Sequence, residues 1–590
     1  MPQSYDRKSP LQIWRVRLIQ TGLSFCLLAI LGKTLHLQTS RASDLSKLAA
    51  QQKRKVAPIA IFRGEIIDRN GVILAVDTAR YDLYIRPAFF KATVDQTLAL
   101  VKTLGISESK LDQIIRAGKI VKLGNSLSRA KADSIALLRI QGLDLLPVNY
   151  RKYPQGQLAA HLLGYVAWDA SGRAGIEQMM EKELSSARQN VVGVLTRGDG
   201  RPITHFAPFK PVISSSFGNQ VELTIDSKLQ YRVEQILQRN LNRFRAKRAT
   251  VIVLIPDSGE ILAWANAPTY DPNHYSRYSP EQTSNWAVTQ IYEPGSTFKI
   301  LTVATALESG VIKPDFKFMD GGELQIGNRT IRNHDYKPGR IREVGLVELL
   351  RFSSNTAAAE IALKMKPKDF HAQLQKMGIA EKTGIEIPGE SAGRLKPAKE
   401  WQKIDVATTS FGQGVVAVTP IQLAAAINAV ANNGEWVQPH LIKEIKSGDF
   451  GHGSHSKLKP KRRVLSDKVA KEVSRLLAAS IRESLEEDAT QIAGNIAGYS
   501  VAGKTGTAQK YCPQIGAYCK DETIASFIGF FPSDKPKFLI LTVVDSPKEA
   551  GGWGNTVAGP IFNQVGEAVV RMYPYGVDNS KKSSIFDGFN

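Results

Sequence analysis

The hydrophobic pattern begins with a run near the N-terminus in which residues 18–32 contain no charged side chain and apolar residues continue to Leu37. A helix needs about 20 residues to cross the hydrocarbon core of a bilayer. Arg17 and Lys33 flank the uncharged run, where long basic side chains can reach the headgroups. The pattern therefore predicts one transmembrane helix over residues 18–37.

The flanks of this helix predict its orientation. Residues 1–17 are rich in Arg and Lys, which favours a cytoplasmic tail and an exported remainder of the chain. A cleaved signal peptide is the alternative, but no small-x-small cleavage site follows Leu37. A lipoprotein signal fits poorly because the bulky Phe25 precedes Cys26. We expect an uncleaved, single-pass anchor.

Short apolar runs separated by glycine turns follow a polar neck at residues 38–57. Residues 63–75 contain two such runs around Asn70-Gly71, a pattern typical of a β-hairpin. This pattern of short apolar runs and turns continues to residue 215 and predicts a first domain over residues 58–215.

A different hydrophobic pattern starts near residue 219. Paired apolar runs typical of strands alternate with longer apolar stretches typical of helices, which indicates an antiparallel sheet with helices packed on its faces. We assign this domain to residues 219–575, with a C-terminal tail at 576–590. The predicted strands lie at residues 248–268, 523–531 and 537–544, and the predicted helices at 296–307, 419–431 and 560–572.

Composition narrows the class of protein. The 590 residues are 43% hydrophobic and 22% charged, which excludes disorder and predicts several domains. The three cysteines are too few for a disulfide-rich scaffold. The formal net charge of +22 fits nucleic acid, an anionic membrane surface or an acidic substrate. Because most of the chain is expected to be exported, we exclude nucleic acid.

Two short motifs carry candidate chemistry. Pro294 and the following glycine place Ser296 at the start of an apolar helix, with Lys299 one turn later on the same face. A desolvated lysine can take the proton of a serine hydroxyl. Ser353 and Asn355 offer a second hydroxyl and an amide for a peptide carbonyl. Each motif alone also fits a helix cap.

A third motif lies before the C-terminal strands. Lys504-Thr505-Gly506-Thr507 combines a cation, two hydroxyls and a glycine. On an edge strand, the glycine would let a substrate backbone approach, and the Lys504 charge would suit a carboxylate.

The same segment also matches the phosphate-binding pattern G-x-x-x-x-G-K-[ST] over residues 498–505. That motif must run directly into a helix, but Gly506 and Pro513 interrupt any helical pattern here. We therefore reject a nucleotide-binding function.

In this order, the three motifs are the set of penicillin-binding proteins and class A β-lactamases. The chain resembles the class B penicillin-binding proteins, most closely the septal peptidoglycan D,D-transpeptidases, over nearly its whole length. The resemblance implies an α+β protein with a single N-terminal transmembrane helix, an elongated non-catalytic pedestal domain and a serine β-lactamase/transpeptidase-like domain. Further matching segments lie at residues 63–75, 151–154, 160–165, 175–177, 223–226, 387–390, 412–414 and 418–423.

The resemblance also implies roles for residues. Ser296 would attack the penultimate D-Ala carbonyl of a stem pentapeptide and hold the acyl group until an amine of an acceptor strand displaces it. Lys299 would be the general base, and Ser353 with Lys504 would pass the proton to the leaving group. The substrate would contact Asn355, Thr505, Gly506 and Thr507. No metal or organic cofactor is expected.

Partners and location follow from the same resemblance. The expected partners are the stem pentapeptide and acceptor strand, β-lactams, a membrane glycan polymerase of the SEDS type and other division proteins. The expected site is the bacterial plasma (inner) membrane at the division septum, with the catalytic domain on the periplasmic side.

Cys512 and Cys519 depart from the family pattern. They flank a short loop after the third motif, and in an oxidising compartment we expect a disulfide between them.

Three related functions remain as alternatives. These are an elongation-specific class B transpeptidase, a membrane-anchored β-lactamase and a β-lactam sensor. The short connection between Tyr165 and Gly175 favours the septal type over elongation relatives, which often carry an insertion there.

Overall fold

The computed structural model describes residues 10–43, 62–185, 218–447, 458–487, 493–512 and 514–574. Most of the predicted neck and the predicted C-terminal tail lie outside these residues. The described residues divide into two compact units, of which one contains the N-terminal helix and the other contains the described residues from 62 onward.

The described residues form helices and strands whose bounds fix the positions of the motifs. The helices are α1 (Pro10–Gln38), α2 (Val94–Leu104), α3 (Glu108–Arg116), α4 (Arg129–Leu137), α5 (Ala160–Leu163), α6 (Gly175–Met179), α7 (Glu181–Leu184), α8 (Ser227–Arg243), α9 (Pro280–Thr283), α10 (Trp286–Thr289), α11 (Lys299–Glu308), α12 (Leu346–Phe352), α13 (Asn355–Leu363), α14 (Pro367–Lys376), α15 (Lys403–Ser410), α16 (Pro420–Ala431), α17 (Asp467–Glu487) and α18 (Gly559–Met572). The strands are β1 (Ile66–Ile67), β2 (Ile73–Ile85), β3 (Val121–Leu127), β4 (Leu143–Lys152), β5 (Gln220–Leu223), β6 (Arg248–Leu254), β7 (Ile261–Ala267), β8 (Lys317–Asp320), β9 (Glu323–Ile326), β10 (Arg329–Arg332), β11 (Arg342–Gly345), β12 (Arg394–Leu395), β13 (Val416–Ala417), β14 (Glu435–Trp436), β15 (Ile442–Lys446), β16 (Arg462–Arg463), β17 (Ala502–Cys512), β18 (Ala517–Phe531) and β19 (Phe538–Asp545).

The N-terminal helix α1 confirms the helix expected over residues 18–37 and extends it toward the N-terminus. Its segment Trp14–Gln38 is long and apolar enough to cross a membrane by length and composition. The helix begins earlier than predicted because Pro10 suits the first helical position and the following residues include the good helix formers Leu, Gln and Arg.

A six-stranded sheet joins the two predicted domains. Its strand order is β15-β5-β1-β2-β3, with β4 also paired to β2. Strand β1 pairs antiparallel with β2, which confirms the hairpin around Asn70-Gly71, and parallel with β5. Because β5 and β15 follow residue 219, the predicted second domain contributes two strands to the sheet of the first.

A buried cluster of charges lies beside this sheet. The Arg63 guanidinium donates from Nε to Glu177 Oε2 at 2.6 Å, and Arg151 Nε donates to Glu177 Oε1 at 2.7 Å. Asp77 accepts hydrogen bonds from the Arg63 backbone N–H and from Arg151 Nη1. Glu177 thus bridges two buried guanidinium groups whose segments are distant in sequence, and Arg63 Nη1 also pairs with Glu181 at 2.6 Å.

We expect Glu177→Gln to lower the free energy of unfolding by about 3 kcal/mol, the lower end for a broken buried ion pair, because Arg63 and Arg151 lose the buried carboxylate that they share. Arg63 keeps its ion pair with Glu181, and Arg151 keeps its ion pair with Asp77. Glu343→Gln removes one partner of the exposed Lys317–Glu343 pair and should leave the unfolding midpoint unchanged. Denaturant unfolding of the full chain in detergent measures both. Equal midpoints for the two variants would contradict this role of Glu177.

The second sheet supports the motifs. It is antiparallel in the order β17-β18-β19-β6-β7, which confirms the predicted antiparallel arrangement. Every residue of β19 is buried because helices cover both faces of the sheet. Helix α16 packs against β19, and α8 packs against β7 and α18. Strand β17, with the third motif, lies at the edge.

Candidate active site

Ser296 lies in a tight turn that leads directly into α11. The turn, Gly295–Phe298, is a 3-10 helix, and Gly295 has a φ of 61°, which favours glycine. The Gly295 N–H donates to the Gly412 carbonyl at 3.0 Å. A Cβ at Gly295 would lie 3.1 Å from the Thr507 carbonyl oxygen, so the turn packs closely against β17. This packing leaves Ser296 partly exposed at the mouth of the site.

Lys299 joins the first two motifs. Its side chain is fully buried, and its Nζ donates to Ser296 Oγ at 3.1 Å. The same Nζ lies 2.6 Å from the Ser353 carbonyl oxygen, 3.1 Å from Ser353 Oγ and 2.8 Å from Asn355 Oδ1. The residues of the first and second sequence motifs thus come together around the Lys299 amine.

The backbone conformation of Ser353 makes these contacts possible. Ser353 ends α12 with φ 55° and ψ 41°, a left-handed conformation that is costly for a residue with a side chain. Its neighbour Ser354 caps α13 by accepting the Ala357 N–H. Asn355 Nδ2 donates to the Arg332 carbonyl at 3.0 Å, which turns Oδ1 toward Lys299. The tight reversal between α12 and α13 presents three oxygens to one amine.

The electrostatics of the site favour uncharged lysines. Burial lowers the pKa of Lys299 well below its ordinary value, the nearby charge of Lys504 lowers it further, and Asp320 acts in the opposite direction. Burial lowers the pKa of Lys504 to about 7. Lys299 is therefore suited to accept a proton, while Lys504 changes charge near neutral pH.

The third motif lies on the edge strand β17, as predicted, and the structure adds two details. Lys504 Nζ donates to the carbonyl and Oγ1 of Thr505, and among the described residues it makes no hydrogen bond to Ser353. A Cβ at Gly506 would lie 2.3 Å from Ser526 Oγ and 2.9 Å from Thr297 Cγ2. Glycine is therefore required here for packing of β17 against the nucleophile turn, and the substrate approach that the sequence suggested stays a prediction.

The loop around residues 551–556 completes the rim of the site. The Gly554 N–H donates to Thr507 Oγ1 at 3.0 Å, and a Cβ at Gly554 would lie 2.5 Å from the Gly506 carbonyl oxygen. The ring centroids of Trp553 and His334 are 6.2 Å apart. The cleft therefore has an aromatic side chain on the rim beside the third motif.

Cys512 and Cys519 are joined by a disulfide with Cα atoms 5.5 Å apart. The bond links β17 to β18 just beyond the third motif. Next to it, Tyr518 Oη donates to Glu293 Oε2 at 3.0 Å, and Glu293 lies three residues before Ser296. The disulfide-linked hairpin thus contacts the segment that leads into the nucleophile turn.

We expect unreduced, unfolded protein from an oxidising compartment to accept one alkyl group, on Cys26, and reduced protein to accept three. Cys26 is the free cysteine of the structure and Cys512 and Cys519 are paired. Intact-mass measurement after alkylation distinguishes the two states. Three alkyl groups without reductant would contradict the disulfide.

Two residues near the site were not found from the sequence. Asp320 is 1% exposed and accepts hydrogen bonds from the Ser354 and Thr356 hydroxyls, 34 and 36 residues away. No local pattern marks such a contact. Glu293 immediately precedes the Pro294-Gly295 break, a position that could have identified it; burial raises the pKa of its carboxyl.

Two cavities lie outside the cluster of motif residues. The larger cavity, about 760 Å³, lies between α17 and residues 494–501 and contacts none of the motif residues. A second, about 530 Å³, adjoins Glu293 and Tyr518. Within the described ranges, no group of three or more His, Cys, Asp or Glu side chains is placed to hold a metal ion.

Comparison with known proteins agrees with this geometry. The family model for the penicillin binding protein transpeptidase domain matches residues 249–567, and that for the penicillin-binding protein dimerisation domain matches residues 58–212. A peptidoglycan D,D-transpeptidase FtsI homolog of Mesostigma viride is 31% identical over 92% of this chain and 93% of its own. Stage V sporulation protein D of Bacillus subtilis is 31% identical over 90% and 81%.

The fold of this chain is also similar to that of solved structures. Penicillin binding protein 3 of Mycobacterium tuberculosis, complexed with aztreonam, is 26% identical with a TM-score of 0.67, covering 89% of this chain and 98% of its own. With a transpeptidase domain model matched over more than half of its length and a dimerisation domain model before it, the chain belongs to the class B penicillin-binding proteins.

Proposed function

We infer that the protein is a peptidoglycan D,D-transpeptidase that crosslinks stem peptides during septal cell-wall synthesis through a serine acyl-enzyme. The observation that carries this inference is the buried Lys299 amine, within hydrogen-bond distance of Ser296, Ser353 and Asn355. Relatives named peptidoglycan D,D-transpeptidase FtsI support the activity. The β-lactam complexes of a similar structure support acylation by the same drugs.

The hydrogen bonds of Lys299 explain how it would act as a base. A neutral amine has two hydrogens and one lone pair. The Ser353 carbonyl and Asn355 Oδ1 accept only, and they are the two closest partners of Nζ, so they take the two hydrogens. The lone pair is then left for the hydroxyl of Ser296 or of Ser353.

Acylation would follow from this arrangement. Lys299 takes the hydroxyl proton as Ser296 Oγ bonds to the penultimate D-Ala carbonyl carbon. The backbone N–H groups of Ser296 and Thr507 would stabilise the oxyanion. The carbon–nitrogen bond then breaks, and the terminal D-Ala leaves after receiving the proton through Ser353. The amine of an acceptor strand later attacks the ester, forms the new amide and returns Ser296 to its free state.

The edge of β17 is suited to the substrate. A protonated Lys504 with the hydroxyls of Thr505 and Thr507 would bind the terminal carboxylate, and Asn355 would hold a peptide carbonyl. A β-lactam presents a carboxylate and a strained amide in the same relation. It would acylate Ser296 and remain, since its leaving group stays attached.

The anchor and the first domain would hold the active site near the peptidoglycan. We propose that residues 18–37 anchor the protein in the bacterial plasma membrane with residues 1–17 in the cytoplasm and the catalytic domain, residues 219–575, outside. The domain at residues 58–215 would act as a non-catalytic pedestal. Because we assign no polymerase to the chain, glycan strands would come from a SEDS-type partner among other division proteins.

Depletion of the protein in its own cells distinguishes the septal from the elongation role. We expect cells that continue to grow but fail to divide, because septal crosslinking stops while lateral synthesis continues. Complementation with the wild-type chain is the control. Round cells with normal division frequency would instead assign the protein to elongation and would leave the transpeptidase activity unaffected.

A further inference from the structure

A buried carboxylate lies behind the second motif. Asp320 ends β8 and is 1% exposed. Its Oδ1 accepts from Thr356 Oγ1 at 2.6 Å and from the Gly322 N–H at 2.7 Å. Its Oδ2 accepts from Ser354 Oγ and Asn333 Nδ2, both at 2.8 Å. All four donors satisfy one carboxylate that has no access to solvent.

These contacts fix the oxygens that face Lys299. Ser354 and Thr356 lie on either side of Asn355, and Ser354 directly follows the left-handed Ser353. Asn333, held by Asp320, accepts the Asn355 N–H through Oδ1 at 2.7 Å. The carboxylate therefore holds the reversal between α12 and α13 in the conformation in which Ser353 and Asn355 reach the amine.

The charges around Lys299 come from several elements. Lys504 on β17 and Asp320 on β8 act on it directly, with opposite signs. His334, after β10, is influenced by both lysines, and burial lowers its pKa. Arg342 on β11 lies 3.8 Å from Asp320 Oδ2, but pairs more closely with Asp335 at 3.0 Å. Asp320 thus offsets part of the mutual repulsion of two buried lysines.

Resting on the proposed function, we propose that Asp320 is a positioning residue for acylation, which holds Ser353 and Asn355 against Lys299 and supplies a negative charge to that amine. Hydrogen bonds, led by that of Thr356, keep the pKa of Asp320 low although burial alone would raise it, so the carboxylate is charged at neutral pH. Its charge raises the pKa of Lys299 and thereby sets the pH at which the base becomes active.

The test is the pH dependence of the second-order acylation rate constant with a fluorescent penicillin, for the full chain in detergent. Asp320→Asn should lower the rate by about a hundredfold, because the oxygens around Lys299 lose their fixed positions. It should also move the acid limb of the profile to lower pH, since the lost charge no longer raises the pKa of Lys299. Loss of stability alone would not move that limb.

Two further variants keep the test decisive. Asp320→Asn combined with Asn333→Asp exchanges the two hydrogen-bonded side chains, returns a carboxylate to the cluster and should recover most of the rate. Glu343→Gln removes the negative charge of an exposed side chain on β11 and should change neither rate nor profile. A folded Asp320→Asn variant with an unshifted acid limb, or an exchange variant no better than the single one, would overturn the proposal. A wild-type chain that does not react with penicillin would instead refute the proposed function.

Discussion

Ser296→Ala is expected to abolish covalent labelling by penicillin and to lower turnover of a stem-peptide donor by about 10⁶-fold. The Ser296 hydroxyl lies 3.1 Å from the Lys299 amine and is partly exposed at the cleft, and alanine offers no atom to acylate. The variant should fold normally, because Ser296 Oγ lies at the mouth of the site and not in the core. Intact mass before and after penicillin treatment measures the adduct.

Ser309→Ala is a matched control for this variant. Ser309 lies at the other end of α11, and its hydroxyl donates to the Thr305 carbonyl within the same helix. It should be labelled at the wild-type rate. Retained labelling of a folded Ser296→Ala variant would exclude Ser296 as the nucleophile, whatever the control shows.

Lys299→Met should lower the acylation rate by about 10²–10⁴-fold, the usual contribution of a general base. Methionine preserves most of the buried volume but has no lone pair basic enough to take the Ser296 proton. In the wild-type protein the rate should rise with pH as Lys299 loses its proton at a pKa well below the ordinary value. It should fall above about pH 7 as Lys504 loses the charge that binds the carboxylate.

The pH profile of the variant separates the two lysines. Lys299→Met should lose the rising limb and keep the falling one, because Lys504 is still present. Lys399→Met, which removes an exposed lysine in the turn Ala398–Glu400, should keep both limbs and the full rate. A Lys299→Met variant with a wild-type profile would show that another group takes the proton.

Much of the fold follows from local patterns. The hairpin at Asn70-Gly71 and strands β6, β7, β18 and β19 were all predictable, because turn residues and apolar runs are local signals. The pairing of β1 with β5 was not predictable, since nothing within either two- to four-residue strand specifies a partner so distant in sequence. Register between distant strands depends on the packing of the whole domain.

In the active site, too, some features could be predicted from local sequence patterns and others could not. The three motifs were found because each is a short, fixed spacing, and the structure brings Ser296, Lys299, Ser353 and Asn355 together at one amine. Asp320 was missed because its contacts depend on how two small two-stranded sheets, β8–β11 and β9–β10, fold beside the second motif. Gly506 was found, but its packing against the nucleophile turn was not foreseen, because the direction of a missing Cβ is known only from the folded backbone.

The charge balance of the chain also has a physical interpretation. The sequence carries a net charge of +22, yet the two lysines of the site are buried and tend toward neutrality. A net positive charge of this size favours an anionic membrane or an acidic polymer over long distances. Binding of the substrate carboxylate would in turn favour the charged form of Lys504.

We expect this chain to transfer a stem peptide from a D-Ala-D-Ala donor to an amine through Ser296. The most direct measurement is mass spectrometry of the full chain in detergent, incubated with a thioester analogue of the stem peptide and a D-amino acid acceptor. We expect a transient acyl adduct on the peptide that contains Ser296 and a product in which the acceptor replaces the leaving group. An adduct on another residue, or a folded, penicillin-reactive chain that only hydrolyses the donor, would contradict it.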